Sequence, residues 1–185
     1  MCGRFVPAYR ERKQEDTLQT IIVAAGRGTR LGKHSDREPK TLLPYGDGTI
    51  LAQILANFAA IDVTEFVIVV GYRSEAIREY LAAHDHFGLT IRFVENPRWE
   101  RGNGISVYAA RQAVTGTEPV FLSMSDHLVD PRALSAIREA GGSADLLLTD
   151  PDVEGVFDIE DATKVLLEGD RIREIGKSLT HYRTE

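Results

Sequence analysis

The chain has 185 residues, 43% of them hydrophobic and 27% charged, with a formal net charge of −6 and a single cysteine. That length can bury a sizeable core, and one cysteine excludes an internal disulfide. The acidic balance disfavours nucleic acid as a partner, because nucleic-acid binders carry a basic face. No apolar run approaches the roughly 20 residues that span a bilayer. The N-terminus has no apolar signal-peptide core, so a cytoplasmic protein without a membrane segment is expected.

Apolar, β-branched runs alternate with helical patterns from residue 20 onward. This alternation predicts an α/β fold with a mostly parallel sheet flanked by helices. The polar, charged residues 1–18 predict a flexible N-terminal extension before a domain of residues 19–185. The predicted strands are residues 20–24, 65–70, 90–94, 119–123 and 145–149, and the predicted helices are residues 50–60, 74–83 and 131–140. A C-terminal β-hairpin is predicted from residues 162–167 and 171–175, with its turn at 168–170.

Two of the helices carry recognisable start signals. Ser74 is the expected N-cap of the helix over 74–83. Asp130 is the expected N-cap of the helix over 131–140, with Pro131 in its first turn and glycines at 141–142 to end it.

A loop of glycines and arginines follows the first predicted strand, with the sequence Ala24-Ala25-Gly26-Arg27-Gly28-Thr29-Arg30. Glycines let backbone N–H groups approach a ligand closely, and arginines suit phosphate oxygens. From Arg27 to Lys40 five basic residues outnumber two acidic ones, which favours a polyphosphate site. The loop is not a P-loop, and Leu31 stands where a third glycine would complete a dinucleotide fingerprint. Two glycines alone fit a tight strand-to-helix turn equally well.

Other polar segments also follow predicted strands, at residues 71–72, 95–97 and 125–127. Ligands of open α/β sheets bind outside the carboxyl ends of the strands, so these segments are expected to converge. Asp126 is a candidate Mg²⁺ ligand, because Mg²⁺ on nucleotide phosphates takes one or two carboxylates. A turn-capping aspartate is the alternative. The adjacent His127 is either an acceptor contact or an ordinary packed or solvated histidine.

A second glycine-containing segment is Arg101-Gly102-Asn103-Gly104-Ile105-Ser106. Its glycines permit close backbone approach, and Asn103 and Ser106 offer short polar side chains at a helix start. Asn103 is equally well interpreted as the N-cap of that helix.

These motifs together resemble the nucleotidyltransferases that activate sugar phosphates and phospho-alcohols. The resemblance rests on A-A-G-x-G-T-R-L followed by P-K-T-L-L-P. The forms R-G-N-G-x-S and M-S-D-H look more like the CTP-using branch, and the closest similarity is to inositol-1-phosphate cytidylyltransferases over roughly residues 19–181. The resemblance implies a Rossmann-like nucleotidyltransferase fold, transfer of CMP from CTP to a phosphorylated alcohol, and release of pyrophosphate.

The resemblance also implies roles for individual residues. The glycine-loop backbone, Arg30 and Lys40 would bind the triphosphate, and Asp126 would hold Mg²⁺. The segment with Gly102, Asn103, Gly104 and Ser106 would contact base and ribose. The acceptor would meet three residues, namely His127, Asp158 and Lys177. For Lys177 a surface lysine at the end of a hairpin is the alternative. No strong general base is required, because the acceptor phosphate is already an oxyanion.

Two rival interpretations share the glycine loop. One is a sugar-1-phosphate or molybdopterin nucleotidyltransferase, and the other is a nucleotide-binding subunit without turnover. Members of the resembled family continue past the segment matching Thr180-His181-Tyr182 into a strand whose aspartate completes the metal site. The resemblance therefore implies a C-terminally shortened domain of low activity, whose exposed apolar surface invites homodimerisation.

Overall fold

The computed structural model describes residues 18–28, 38–114, 119–142, 144–156 and 158–180. The chain divides into two compact units, Met1–Ser135 and Ala136–Glu185. The predicted extension of residues 1–18 lies almost wholly outside the described residues.

The first unit is built on a parallel four-stranded sheet in the order β5-β4-β1-β6. Its strands are β1 (Gln19–Ala24), β4 (Glu65–Val70), β5 (Thr90–Glu95) and β6 (Val120–Met124). A two-residue pair, β2 (Pro44–Tyr45) and β3 (Gly48–Thr49), forms a small antiparallel sheet. Its helices are α1 (Ile50–Ala59), α2 (Ser74–Ala83) and α3 (Asn103–Ala110), and a further helix, α4 (Pro131–Ala140), begins in the first unit and ends in the second.

The central strands are buried along almost their whole length. Every residue of β1 is buried, as are the last five of β4. Such continuous apolar runs are typical of parallel strands covered on both faces. The four sheet strands predicted from these runs are confirmed, each within a residue at either end. Val23 is level with Val69 on one side and Met124 on the other, so the carboxyl ends of β1, β4 and β6 meet.

Helix α1 covers one face of this sheet. Its N-cap Thr49 accepts a hydrogen bond from the Ala52 N–H at 3.2 Å. Leu51, Ile54, Leu55 and Phe58 are its buried stripe, which is the spacing of a helix face turned to a core.

Helix α2 begins at Ser74, one residue earlier than it would if Ser74 were its N-cap. Ser74 is already the first helical residue, and the N-cap is Arg73, with φ of 50° and no capping side chain. The Ser74 N–H donates to the Gly71 carbonyl oxygen at 3.2 Å, so Ser74 already belongs to the first turn of the helix. The prediction of Ser74 as N-cap is therefore wrong by one position.

The cap predicted for α4 is confirmed. Asp130 Oδ1 accepts the Arg132 backbone N–H at 2.8 Å, and both carboxylate oxygens accept from the Arg132 guanidinium. The side-chain hydrogen bond from Arg132 lowers the pKa of Asp130 to about 2. Gly141 and Gly142 follow the helix with φ of 50° and 102°, conformations that end a helix.

The second unit contains the predicted hairpin, formed by antiparallel β7 (Lys164–Glu168) and β8 (Arg171–Gly176). Gly169 has φ of 59° in the turn. The predicted strand over 145–149 is wrong, since these residues belong to no strand among the described residues. Leu146, Leu147 and Leu148 are exposed there. A strand needs a neighbouring strand for its ladder of backbone hydrogen bonds, and no strand pairs with this run among the described residues.

In the described part of the chain, no helix is long and apolar enough to cross a membrane.

Candidate functional site

A cleft of about 220 Å³ opens at the carboxyl ends of β1 and β6. Four separate segments of the first unit line it: the end of β1 with the glycine loop, the start of the 3-10 helix Lys40–Leu42, the start of α3, and the end of β6. The lining residues are Val23, Ala24, Gly26, Gly28, Pro39, Lys40, Thr41, Asn103, Met124, Ser125 and Asp126. Polar side chains and exposed backbone thus meet where an open α/β sheet binds its ligands.

The glycine loop leaves β1 in a position fixed by its neighbours. The Tyr72 N–H donates to the Ala25 carbonyl oxygen at 3.0 Å, and the Ser125 N–H donates to the Val23 carbonyl oxygen at 3.1 Å. Ala25 is buried in the core, whereas Gly26 is exposed. Gly28 has φ of 68°, a conformation that favours glycine. The predicted contacts Thr29 and Arg30 lie outside the described residues.

An ion pair joins two sides of the cleft. Lys40 Nζ donates to Asp126 Oδ2 at 2.9 Å, although the residues are 86 positions apart. Their side chains remain 39% and 35% exposed, so a ligand can reach both. His127 Nε2 lies 3.7 Å from Asp126 Oδ1 and is more exposed. A phosphate can take Lys40 as a charge-assisted donor, and a cation can take Asp126 as a ligand.

The predicted base and ribose contacts lie at the start of α3, and only one of them, Asn103, lines the cleft. Gly102, with φ of 97°, is the N-cap, so Asn103 is the first helical residue and lines the cleft. The interpretation of Asn103 as N-cap is therefore wrong. Ser106 is buried, and its hydroxyl oxygen accepts from Asn96 Nδ2 at 2.9 Å. That hydrogen bond holds Ser106 in the interior of the domain. Gly104 is exposed and does not line the cleft.

An aromatic pair that the sequence analysis did not predict lies beside the glycine loop. The Tyr72 and Trp99 rings are 5.4 Å apart, and the Arg27 guanidinium lies 5.5 Å from the Tyr72 ring centre. A Cβ on Gly71 would come within 2.7 Å of Trp99 Cβ. A guanidinium group at this distance is attracted to the face of the ring. The available signal was Tyr72, the second residue after the end of β4.

Two of the predicted acceptor contacts, Asp158 and Lys177, belong to the second unit. Lys177 Nζ donates to Asp161 Oδ1 at 2.5 Å, and the Lys177 carbonyl oxygen accepts from the buried Lys164 Nζ at 2.6 Å. Asp158 Oδ1 accepts the Asp161 N–H at 3.3 Å, a local turn contact. Lys177 is thus an ordered, exposed cation, and its role toward an acceptor stays a prediction.

Residues 20–156 match the profile described as "MobA-like NTP transferase domain", a stretch that contains every cleft-lining residue. The chain belongs to this family. The resemblance to nucleotidyltransferases inferred from the glycine loop is confirmed.

Curated relatives and a solved structure extend this assignment. The CMP-5'-(3-aminopropyl)phosphonate synthase of Streptomyces rubellomurinus is 38% identical over 124 residues, covering 66% of this chain and 19% of that protein. A bifunctional IPC transferase and DIPP synthase of Rubrobacter xylanophilus is 34% identical, covering 87% of this chain and 35% of that protein. The inositol-1-phosphate CTP transferase of T. maritima superposes with a TM-score of 0.71 at 28% identity, covering 90% of this chain and 66% of that one. This NTP transferase domain therefore spans about a fifth and about a third of the length of the two curated relatives.

The cleft of this NTP transferase domain has the donor chemistry of a metal–nucleotide site. No group of three or more His, Cys, Asp or Glu side chains that would hold a metal by itself occurs among the described residues. Mg²⁺ binds through one or two carboxylates together with substrate phosphates and water. A single accessible carboxylate, Asp126, beside the glycine loop fits that requirement.

Proposed function

We propose that this domain transfers a cytidylyl group from CTP to a phosphorylated alcohol, inositol 1-phosphate first, with release of pyrophosphate. The observation that carries the proposal is the Lys40–Asp126 pair beside the glycine loop, in one accessible cleft. The names of the relatives support the base and the acceptor, since one carries CMP in its name and another is an inositol-1-phosphate CTP transferase.

In this proposal the triphosphate lies along the glycine loop. The backbone around Gly26 and Gly28, the Lys40 ammonium and the undescribed Arg30 bind its phosphates, and they stabilise the charge on the departing pyrophosphate. Asp126 holds Mg²⁺, which supplies charge neutralisation on the phosphates when bound. Asn103, in the cleft wall, is the candidate for the ribose or base.

The chemical step needs positioning more than acid–base help. An oxygen of the acceptor phosphate attacks the α-phosphorus of CTP, a new phosphoanhydride bond forms, and the bond to pyrophosphate breaks. Lys177, His127 and Asp158 are the proposed acceptor contacts. The incoming group is already an anion near neutral pH, so the residues around it serve to hold charge and geometry.

A matrix of nucleotides against acceptors tests this proposal. CTP, UTP, dTTP, ATP and GTP are paired with inositol 1-phosphate, 3-aminopropylphosphonate and glucose 1-phosphate, and pyrophosphate release is measured with MgCl₂ present. We expect CTP to be used at least tenfold faster than the other nucleotides, with inositol 1-phosphate the best acceptor.

The same matrix separates the alternatives. A phosphonate acceptor is the second candidate, favoured by the 38% identity to the phosphonate-linked relative. Preference for UTP or dTTP with glucose 1-phosphate would assign the domain to sugar-phosphate activation. Nucleotide binding without pyrophosphate release for any pair would indicate a binding subunit instead of an enzyme.

A further inference from the structure

Thr41 places a buried hydroxyl group in the cleft wall. The residue directly follows Lys40 in the short 3-10 helix Lys40–Leu42 and is 2% exposed. It is one of the residues that line the cleft. Within the described part of the chain its Oγ1 has no hydrogen-bond partner.

An unpartnered hydroxyl is unfavourable inside a protein. The group loses its hydrogen bonds to water on folding and gains none in return, so valine, its near-isostere, would be the more stable residue. One other buried hydroxyl among the described residues shares this property, that of Thr20 in β1. Thr20 does not belong to the cleft lining. The two threonines differ in their access to a ligand.

The surroundings of Thr41 favour an anionic oxygen as its partner. The Lys40 ammonium group and the glycine loop face the same cleft. A hydroxyl that donates to a phosphate oxygen forms a charge-assisted hydrogen bond, which is stronger than a neutral one. Threonine reaches a second staggered rotamer by rotation about one bond.

We infer that the Thr41 hydroxyl donates a hydrogen bond to a phosphate oxygen of the bound nucleotide, next to Lys40. This inference rests on the nucleotide site proposed above. Among the described residues of the free domain the group has no partner, and in the proposed complex it gains one. Removal of the hydroxyl should therefore raise the stability of the free domain and lower its affinity for the nucleotide.

The experiment compares Thr41→Val, Thr41→Ser and Thr20→Val with the wild-type chain. The dissociation constants of CTP and of inorganic tripolyphosphate are measured by calorimetry with MgCl₂, and Tm is measured without ligand. We expect Thr41→Val to raise both dissociation constants about tenfold or more, and to raise Tm by about 2–4 °C. Thr41→Ser keeps the hydroxyl and should bind within about twofold of wild type. Thr20→Val should raise Tm and leave both affinities unchanged.

Three results would overturn the inference while leaving the nucleotide site in place. The first is unchanged affinity for CTP in Thr41→Val, and the second is a loss for CTP with none for tripolyphosphate, which would place the contact away from the phosphates. The third is a lower Tm in Thr41→Val, which would mean that the hydroxyl is already satisfied in the free domain. If Thr41→Val does not fold, Thr41→Ala is measured for affinity in its place. A wild-type chain that binds neither CTP nor tripolyphosphate would refute the nucleotide site itself.

Discussion

The ion pair between Lys40 and Asp126 links two ligands that the site is proposed to bind. In the proposed site the phosphates bind Lys40 and Mg²⁺ binds Asp126, yet in the structure these side chains bind each other at 2.9 Å. Whichever ligand binds first releases the residue that the other requires. Mg²⁺ and nucleotide should therefore strengthen each other's binding reciprocally.

The variant Asp126→Asn tests this coupling. Without metal, in EDTA, we expect it to bind CTP about two- to fivefold more tightly than wild type, because Lys40 is released and a nearby negative charge is gone. With MgCl₂ the advantage should disappear, because a neutral amide is a poor ligand for a hard cation. Calorimetric titration under both conditions gives the four dissociation constants.

Two further variants serve as controls for that measurement. Glu38→Gln removes the same charge two residues from Lys40, and we expect a smaller change in metal-free affinity. Lys40→Ala should lower CTP affinity about tenfold to a hundredfold under both conditions. Weaker metal-free binding by Asp126→Asn than by wild type would contradict the coupling.

At the level of single residues, the sequence predicted candidate site residues better than it predicted which side chains contact each other. Asp126 was predicted at a strand end and Lys40 downstream of the glycine loop, but their pairing depends on a fold that the local sequence does not show. Thr41 was not predicted, since nothing in a threonine's sequence context shows that its hydroxyl is buried without a partner. Ser106 was predicted as a ligand contact, and the structure shows its buried hydroxyl accepting a hydrogen bond from Asn96, so the ligand contact stays a prediction.

At the level of elements, the junction after β4 controls the loop that leads into α3. Gly71 contacts the side chain of Trp99 so closely that a Cβ would lie 2.7 Å from its Cβ and 2.9 Å from its ring. Trp99 is the only tryptophan of the chain and begins the 3-10 helix Trp99–Arg101, just before Gly102 and Asn103. A larger residue at 71 must displace that helix.

We therefore expect Gly71→Ala to destabilise the domain by about 1–3 kcal/mol through overpacking. It should also change the Trp99 fluorescence spectrum and weaken CTP binding through the displaced Asn103. Chemical denaturation followed by tryptophan fluorescence measures the first two effects. Gly48→Ala is the control, because its new Cβ would meet Ala52 Cβ at an ordinary 3.6 Å. Equal stability of the two variants would refute the tight contact.

The sequence predicted secondary structure correctly where an apolar run also pairs with a neighbouring strand. The runs that became β1 and β4 are apolar because helices and neighbouring strands cover them, whereas β5 and β6 are only partly buried and pair with β4 and β1. The run over 145–149 is just as apolar, but strand formation also needs a hydrogen-bonding neighbour, which a local pattern cannot show. The two-residue strands β2 and β3 were missed because they are too short to have a period.

At the level of the whole molecule, the cleft belongs to one of the two compact units. All its lining residues fall within Met1–Ser135, whereas Lys177 and the β7–β8 hairpin fall within Ala136–Glu185. A ligand that binds only the folded cleft stabilises the structure that forms it, by about 2.7 kcal/mol at a hundredfold excess over its dissociation constant. The stabilisation should therefore be localised.

Hydrogen exchange measured by mass spectrometry tests this localisation. With Mg²⁺ and CTP at saturation, we expect slower exchange in peptides that contain the end of β1, the segment 38–43 and the start of α3. Peptides of the β7–β8 hairpin should exchange at unchanged rates, because no residue of that unit lines the cleft. Lys40→Ala at the same nucleotide concentration should lose most of the protection, which ties the effect to phosphate binding. Protection of equal size in the hairpin would contradict a nucleotide site confined to the first unit, since it would require the ligand to contact both units or the two to open as one.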